Sequence, residues 1–381
     1  MAFLVGSNGI HKKGTIVDGI QYLRGLSAVI VVISHCNGII GKPEYYSRMV
    51  MPDWHVASLF AVAAFFSISG FIILIAAMDE HLVPKAPAGE FLRRRFVRIV
   101  PFLWLCTIGY NALSWAGTSR LEWDLALRTL IVWPIGELKP NVAWSLRHEL
   151  LFYGVFAWAL LGSRRRPAIL IAWFVASAAF YFLSYDLGWA ADVTQQPWFE
   201  VLKVVMGGDH GANFQFAIGM TVAWLFLTRP HLLPIGQVPA VTMIGLMAAS
   251  CLIVTLLPEQ YGLGISALWT ALTAPILLCA VCARPACGWL GQAGLVLGNA
   301  SFAIYLVHNP IVLVLLAIAA KVHLPLGSPL ALAAFLMACV VLAVIGGIVV
   351  HYLVETPLIR IVNRWSRGQR PIPCFDEPTQ R

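Results

Sequence analysis

Seven ionisable side chains stand where the sequence is otherwise apolar: Arg24, His35, Arg147, His148, Glu149, His308 and His351. Three of them are consecutive, inside Asn141 to Tyr153, NVAWSLRHELLFY. Titratable groups are costly in hydrocarbon, so within an apolar run they mark ligand paths or reaction centres facing a bundle interior. Arg24 and His35 are eleven residues apart in IQYLRGLSAVIVVISHC. That is close to three helical turns, which puts both on one face, ~16 Å apart along the axis. An arginine at one mouth and a histidine deep on the same face suit a long anionic ligand, although an arginine there also serves as a snorkelling anchor.

Glu149 falls at a depth similar to His35 when its helix runs the other way across the membrane. A carboxylate beside an imidazole raises its basicity and fixes its tautomer, as a general base acting on a hydroxyl requires. The same two residues would also serve as a plain interhelical ion pair. Arg95 and Arg98, in EFLRRRFVRIVP, share a helical face. They suit a bidentate phosphate clamp or, equally, basic anchoring at the membrane surface. FFSISGF carries Ser67, Ser69 and Gly70 and reads as a small-residue packing seam. In NASFAIYLVHNP, Tyr305 and His308 share a face, and Pro310 frees backbone groups nearby. A satisfied interhelical histidine explains His308 as well as a site does. No histidine or second pair completes Cys279-x-x-Cys282 as a metal site, so no metal is expected.

The elements that must hold these groups follow from composition. Of 381 residues, 59% are hydrophobic and 12% charged, against about 25% charged in soluble chains. Mean hydropathy is +0.79. The expected fold is therefore all-α, a polytopic membrane bundle. At roughly 20 apolar residues per crossing, ten spans are expected, near 22–40, 56–78, 97–116, 142–162, 167–186, 212–228, 239–257, 262–283, 301–320 and 329–354. The segment 121–135 is too short and too charged to cross, and reads as an amphipathic piece in the interface. The first apolar run follows a polar leader without a cleavage site, so the first span is expected to be retained. The reading divides the chain into a leader (1–21), a transmembrane domain (22–354) and a basic tail (355–381).

Lys and Arg in the loops set the direction. With a cytoplasmic N-terminus, seventeen fall on the inside and seven outside. Both termini are thus expected in the cytoplasm, and the net charge of +8 reflects topology rather than nucleic-acid binding.

These stretches resemble, in order and over essentially the whole chain, the acyltransferase-3 family of integral membrane acyltransferases. IQYLRGLSAVIVVISH resembles its opening arginine–histidine signature, FFSISGFII its FFxxSGF element and FLRRRFVRIVP its RxxRIxP element. WSLRHELLFY is similar to its WSLxxExxFY signature, NASFAIYLVHNPIV to SYxIYLxHxP, and LVETPLIR to the closing FxExP. The resemblance implies a multi-pass enzyme of the bacterial inner membrane. Such enzymes move an acyl group, usually acetyl, from cytoplasmic acyl-CoA to a hydroxyl of an exported polysaccharide, lipopolysaccharide or other glycolipid. By that resemblance His35 is the catalytic histidine with Glu149 in its cavity, and Arg24, Arg95 and Arg98 lie toward the CoA phosphates. Ser69, Trp144, Ser145, His148, Tyr305 and His308 are further candidates for lining the cavity. Acyl-CoA is then a co-substrate, and no cofactor is permanently bound. The expected partners are the lipid bilayer, a glycan or lipid-linked sugar acceptor and polysaccharide-synthesis machinery.

The IQYLRG form resembles the subgroup that acetylates exopolysaccharide, whereas many members carry an acid in place of Gln21. Arg147 and His148 depart from the usual small or apolar residues, and Leu150 follows Glu149 where many members have a second polar group. No appended esterase-like domain is expected, so transfer is completed within the bundle. Two other classes suit the same residues. One is a transporter or flippase using the Arg–His–Glu set as a proton relay, which predicts paired broken helices in two related halves; the sequence has no such symmetry. The other is a structural partner in an export complex, which tolerates loss of His35.

Overall fold

A segment surrounded by hydrocarbon must close its backbone hydrogen bonds internally, and the apolar runs of this chain do so as helices. The computed structural model describes residues 10–366, except 163–164, 190–191, 195 and 258–260. Residues 1–9 of the expected leader, Arg164 and residues 367–381 of the expected tail lie outside the described residues. Among the described residues there are thirteen α-helices and no strand. They are α1 (Ile10–Ile40), α2 (His55–Ala77), α3 (Ala88–Thr118), α4 (Trp123–Leu130), α5 (Trp144–Leu161), α6 (Arg166–Tyr181) and α7 (Pro197–Met206). There follow α8 (Ala212–Thr228), α9 (Ala240–Leu256), α10 (Leu263–Val281), α11 (Gly288–Lys321), α12 (Pro329–Val350) and α13 (Thr356–Ser366).

Each of the ten intervals expected to span holds one of these helices. Seven stretches of the described residues are long and apolar enough to cross a membrane, and α8 and α9 are shorter apolar helices. The segment expected at the interface forms α4, with Ala126 and Thr129 buried and Trp123 and Leu127 exposed.

Three boundaries differ from the expected ones. The third helix starts at Ala88 rather than 97, because Glu90 pairs with Arg93 (2.6 Å) and Arg94 (2.6 Å) one turn on. Such pairs support a helix made of charged residues. α11 starts at Gly288 rather than 301 and runs through Pro310. The last span continues through a π turn, His351–Glu355, into α13. The first part of the expected tail is thus a helix against α3, where Arg93 Nη1 donates to Ser366 Oγ at 2.6 Å.

Two seams set the core. α1 lies on α11, where a Cβ added at Gly298 would stand 2.2 Å from the Gln21 carbonyl oxygen. α2 lies on α8, where a Cβ at Gly219 would stand 2.0 Å from the Ser67 carbonyl oxygen. Small residues at these crossings allow the backbones to touch. The seam read in FFSISGF is therefore real, and it faces α8. α5 packs chiefly on α3 and α6, so α11 and α2, rather than α5, are the main neighbours of α1.

Candidate functional site

Arginines from two helices converge on a carboxylate from a third. Arg24 of α1 and Arg95 and Arg98 of α3 line a cavity of about 90 Å3 with Glu149 of α5. Ser69 of α2, Ser145 and Tyr153 of α5, and Ser301 and Tyr305 of α11 complete its polar lining. Ser145, Glu149 and Tyr153 follow one another at four-residue spacing, so a single face of α5 supplies all three. Arg95 and Arg98 face inward together for the same reason.

Glu149 is held on two sides. Ser69 Oγ donates to its Oε1 at 3.2 Å, and the Tyr153 hydroxyl donates to the same oxygen. The Arg95 guanidinium carbon lies 5.4 Å from the Phe91 ring centroid and 5.6 Å from that of Tyr153. Arg24 is buried, and its Nη1 donates to the neutral Gln21 Oε1 at 3.1 Å. Among the described residues no carboxylate forms a salt bridge with Arg24, Arg95 or Arg98. The wall itself therefore carries three cations and one anion, with buried Glu355, held by His351, acting on Arg24 from beyond it. A buried, uncompensated positive charge is expensive, and an anionic ligand supplies the compensation.

The histidines form a second constellation. His35 Nδ1 and His308 Nε2 are 2.8 Å apart, their rings stacked at 5.0 Å, and His308 Nδ1 is 3.0 Å from the Ile304 carbonyl oxygen. With both rings neutral, the protons in this chain have one arrangement. A carbonyl oxygen only accepts, so His308 Nδ1 carries a hydrogen and donates. His308 Nε2 is then a lone pair and accepts from His35 Nδ1–H, which leaves His35 Nε2 unprotonated and basic. His35 lines a larger cavity of about 460 Å3 with Asp53, His55, Tyr110, Asn141 and Asn309. Asn309 Nδ2 donates to Asn141 Oδ1 at 2.9 Å, and the Asn309 side chain also lies against His35.

Tyr305 joins the two constellations. It lines the arginine cavity, bonds Ser145 Oγ (2.9 Å) and the Val142 carbonyl oxygen (3.0 Å), and its ring centroid is 6.3 Å from that of His308. The file Tyr305–His308–His35 thus runs from one cavity to the other.

The expected site residues separate accordingly. Arg24, Arg95, Arg98, Glu149, Ser69, Ser145 and Tyr305 come together. His35 does not join them: its partner is His308, and the expected pairing with Glu149 gives way because α11 lies against α1. Arg24 and His35 consequently line different cavities instead of one continuous groove. Trp144, His148 and His308 line neither cavity. His148 is buried against Phe66 and Trp144, with Nδ1 3.2 Å from the Val204 carbonyl oxygen. Its Nε2 meets the turn between α7 and α8, where Gly208, at φ +70°, would place a Cβ 2.7 Å from it. Arg147 turns away, and its Nε donates to the Trp133 carbonyl oxygen at 2.7 Å, so it holds the loop before α5. Tyr153, Asn141 and Asn309 were not singled out in the sequence. Helical spacing from Glu149 points to the first, and their places beside the VAWSL and IYLVH runs point to the others.

Comparison with known proteins identifies the family. Residues 17–349 match the acyltransferase-3 family, described as an acyltransferase domain. The chain is 28% identical over 313 residues to the exopolysaccharide production protein ExoZ of Rhizobium meliloti (strain 1021), covering 78% of this chain and 89% of the relative. It is 24% identical over 391 residues to the acyltransferase MdmB of Streptomyces mycarofaciens, covering 93% and 94% respectively. No solved structure matches. A family match of that extent sets aside the transport reading of the same residues. The chain is a membrane acyltransferase and belongs to the acyltransferase-3 family.

Proposed function

We propose that this enzyme transfers an acetyl or other short acyl group from acyl-CoA to a hydroxyl of an exported polysaccharide or glycolipid. The reading includes ten crossings of a bacterial inner membrane with both ends in the cytoplasm, as the distribution of Lys and Arg favours. The observation that carries it is the arginine cavity, whose excess positive charge suits the CoA phosphates. About 90 Å3 suits a phosphate-sized group, so the adenosine stays at the mouth. The pantetheine arm then spans the ~16 Å that eleven helical residues place between Arg24 and His35, passing Tyr305.

At His35 the unprotonated Nε2 takes the proton of the acceptor hydroxyl. The oxygen attacks the thioester carbonyl, the C–S bond breaks, and the thiolate leaves with the proton that His35 gives back. His308 accepts from His35 Nδ1–H throughout and keeps the base in the working tautomer. Glu149 holds Tyr153, and through it Arg95, at the donor end. The name of the Rhizobium relative supports an exopolysaccharide acceptor, made alongside the synthesis machinery for that polymer.

The test uses purified protein in nanodiscs, with acyl-CoA consumption followed by thiol release and the acylated glycan identified by mass spectrometry. His35→Ala should abolish acceptor-dependent thiol release at unchanged protein level. Retention of glycan acylation in that variant would sink the reading.

A further inference from the structure

From the helix that follows the last span we infer that the enzyme carries a site for anionic phospholipid headgroups, and that a headgroup seated there tightens its hold on acyl-CoA. The site is the outward face of α13, where Arg360 and Arg364 stand beside Ile361 and Trp365. The inference rests on the donor cavity and the cytoplasmic orientation proposed above.

The 22 residues of α12 rise ~33 Å, enough to cross a hydrocarbon core of ~30 Å. The π turn His351–Glu355 and α13 therefore continue at headgroup level. Leu358 of α13 packs inward on the core. Arg360 and Arg364, four apart, share one exposed stripe, and Ile361 and Trp365, four apart, share the next. Trp365 is 79% exposed and Ile361 49%. A tryptophan beside arginines at the end of a span fits the plane where hydrocarbon meets headgroups. The indole lies in that plane while the guanidinium groups fork onto phosphate oxygens.

The protein does not neutralise these arginines itself. Of the elements packed against α13, α3 carries one carboxylate, Glu90, and the π turn one, Glu355. Glu90 is engaged by Arg93 (2.6 Å) and Arg94 (2.6 Å), and Glu355 by His351 (2.7 Å). Among the described residues no carboxylate forms a salt bridge with Arg360 or Arg364. The sequence adds Arg367 and Arg370, and no acid, before Asp376. Such a basic run directly after a span attracts the anionic lipids of the cytoplasmic leaflet. A soluble phosphate ligand matches the arginines but leaves Trp365 and Ile361 uncovered, whereas a phospholipid satisfies both stripes. α13 is also tied to the donor cavity. Arg93 Nη1 donates to Ser366 Oγ at 2.6 Å, and Arg95 and Arg98, two and five residues further along α3, line that cavity. A lipid that fixes α13 thereby steadies the stretch of α3 that presents both arginines to acyl-CoA.

The experiment uses the full chain in two ways. Native mass spectrometry, with phosphatidylglycerol titrated into detergent-held protein, gives the lipid affinity. Scintillation binding in phosphatidylcholine nanodiscs, with or without phosphatidylglycerol, gives the acyl-CoA affinity. Wild type should bind phosphatidylglycerol, and should bind acyl-CoA several-fold more tightly when that lipid is present. Arg360→Gln with Arg364→Gln should weaken phosphatidylglycerol binding about 30-fold and make acyl-CoA affinity independent of the lipid. Arg360→Lys with Arg364→Lys keeps the charge and should behave as wild type. Unchanged lipid affinity in the glutamine variant, or a wild-type acyl-CoA affinity indifferent to phosphatidylglycerol, overturns the inference. So does a glutamine variant that loses acyl-CoA affinity equally in both nanodiscs, because its arginines then hold the CoA phosphates directly. All these outcomes leave the acyl-CoA reading standing. A wild type that binds no acyl-CoA in either nanodisc overturns that reading and the inference together.

Discussion

Replacing His308 by leucine isolates what the histidine pair contributes to the reaction. The imidazole of His308 offers one acceptor, Nε2, 2.8 Å from His35 Nδ1. Leucine fills much of the volume and offers none, so His35 Nδ1–H loses its acceptor on the α11 side. Such a group costs about 1–3 kcal/mol. His35 escapes the cost by moving its proton to Nε2, which removes the lone pair that takes the hydroxyl proton. Either way the reactive tautomer is penalised by that amount, and a decade of rate corresponds to about 1.4 kcal/mol. Acyl transfer should therefore slow by roughly 5-fold to 150-fold in kcat. KM for acyl-CoA should stay near wild type, because the arginine cavity is untouched. His308→Gln, whose amide oxygen can accept the same hydrogen, should recover most of the loss. The assay is single-turnover transfer in nanodiscs with acyl-CoA titrated in parallel. A His308→Leu enzyme with kcat within about twofold of wild type would refute the tautomer argument, since the smallest penalty exceeds that. So would a glutamine variant no better than leucine.

Four further outcomes are expected. Arg95→Ala with Arg98→Ala should weaken acyl-CoA binding at least ~10-fold, since charge-assisted hydrogen bonds contribute about 1.5–3 kcal/mol each; scintillation binding to nanodiscs checks it, and unchanged affinity reduces both residues to surface anchors. Tyr153→Phe removes a donor from Glu149 and frees the ring that carries Arg95, so kcat/KM for acyl-CoA should fall by roughly an order of magnitude. Tyr305→Ala removes the side chain between the cavities, and thiol release without acceptor should rise several-fold, as water reaches the thioester; a rate equal to wild type counts against a path past Tyr305. Gly298→Leu forces α1 from α11 at a crossing where even a Cβ meets the Gln21 carbonyl oxygen at 2.2 Å. Overpacking there should cost about 1–3 kcal/mol, visible as a lower Tm in detergent.

Much of the arginine cavity was legible from the chain alone. Arg95 and Arg98 three apart, and Ser145 and Glu149 four apart, could only face one way on their helices, and that way proved to be a shared cavity. The position of a helix around its neighbour is another matter. Depth matched His35 with Glu149, but depth says nothing about which helix lies beside α1. That was decided by the contact of Gly298 with the Gln21 backbone, a fit between two surfaces that no periodicity in either strand of sequence displays. The same limit explains Arg147 and His148. Their targets, the carbonyls of Trp133 and Val204, belong to the path of loops and helix ends, which local spacing does not determine. The three adjacent ionisable residues of α5 thus divide among a cavity wall, a loop fastening and a buried helix contact.

The hydrogen-bonded file from His35 ends on the Ile304 carbonyl oxygen, and that terminus bears on more than catalysis. In the proposed orientation, the two cavities open toward opposite faces of an energised membrane. A row of imidazoles between them would conduct protons if each could pass its hydrogen onward, and the cell's proton-motive force would drain through the enzyme. A backbone carbonyl can accept a hydrogen bond but has no proton to hand on. The relay therefore stops on the backbone of α11, and the histidines can cycle a proton locally while the bilayer keeps its insulation.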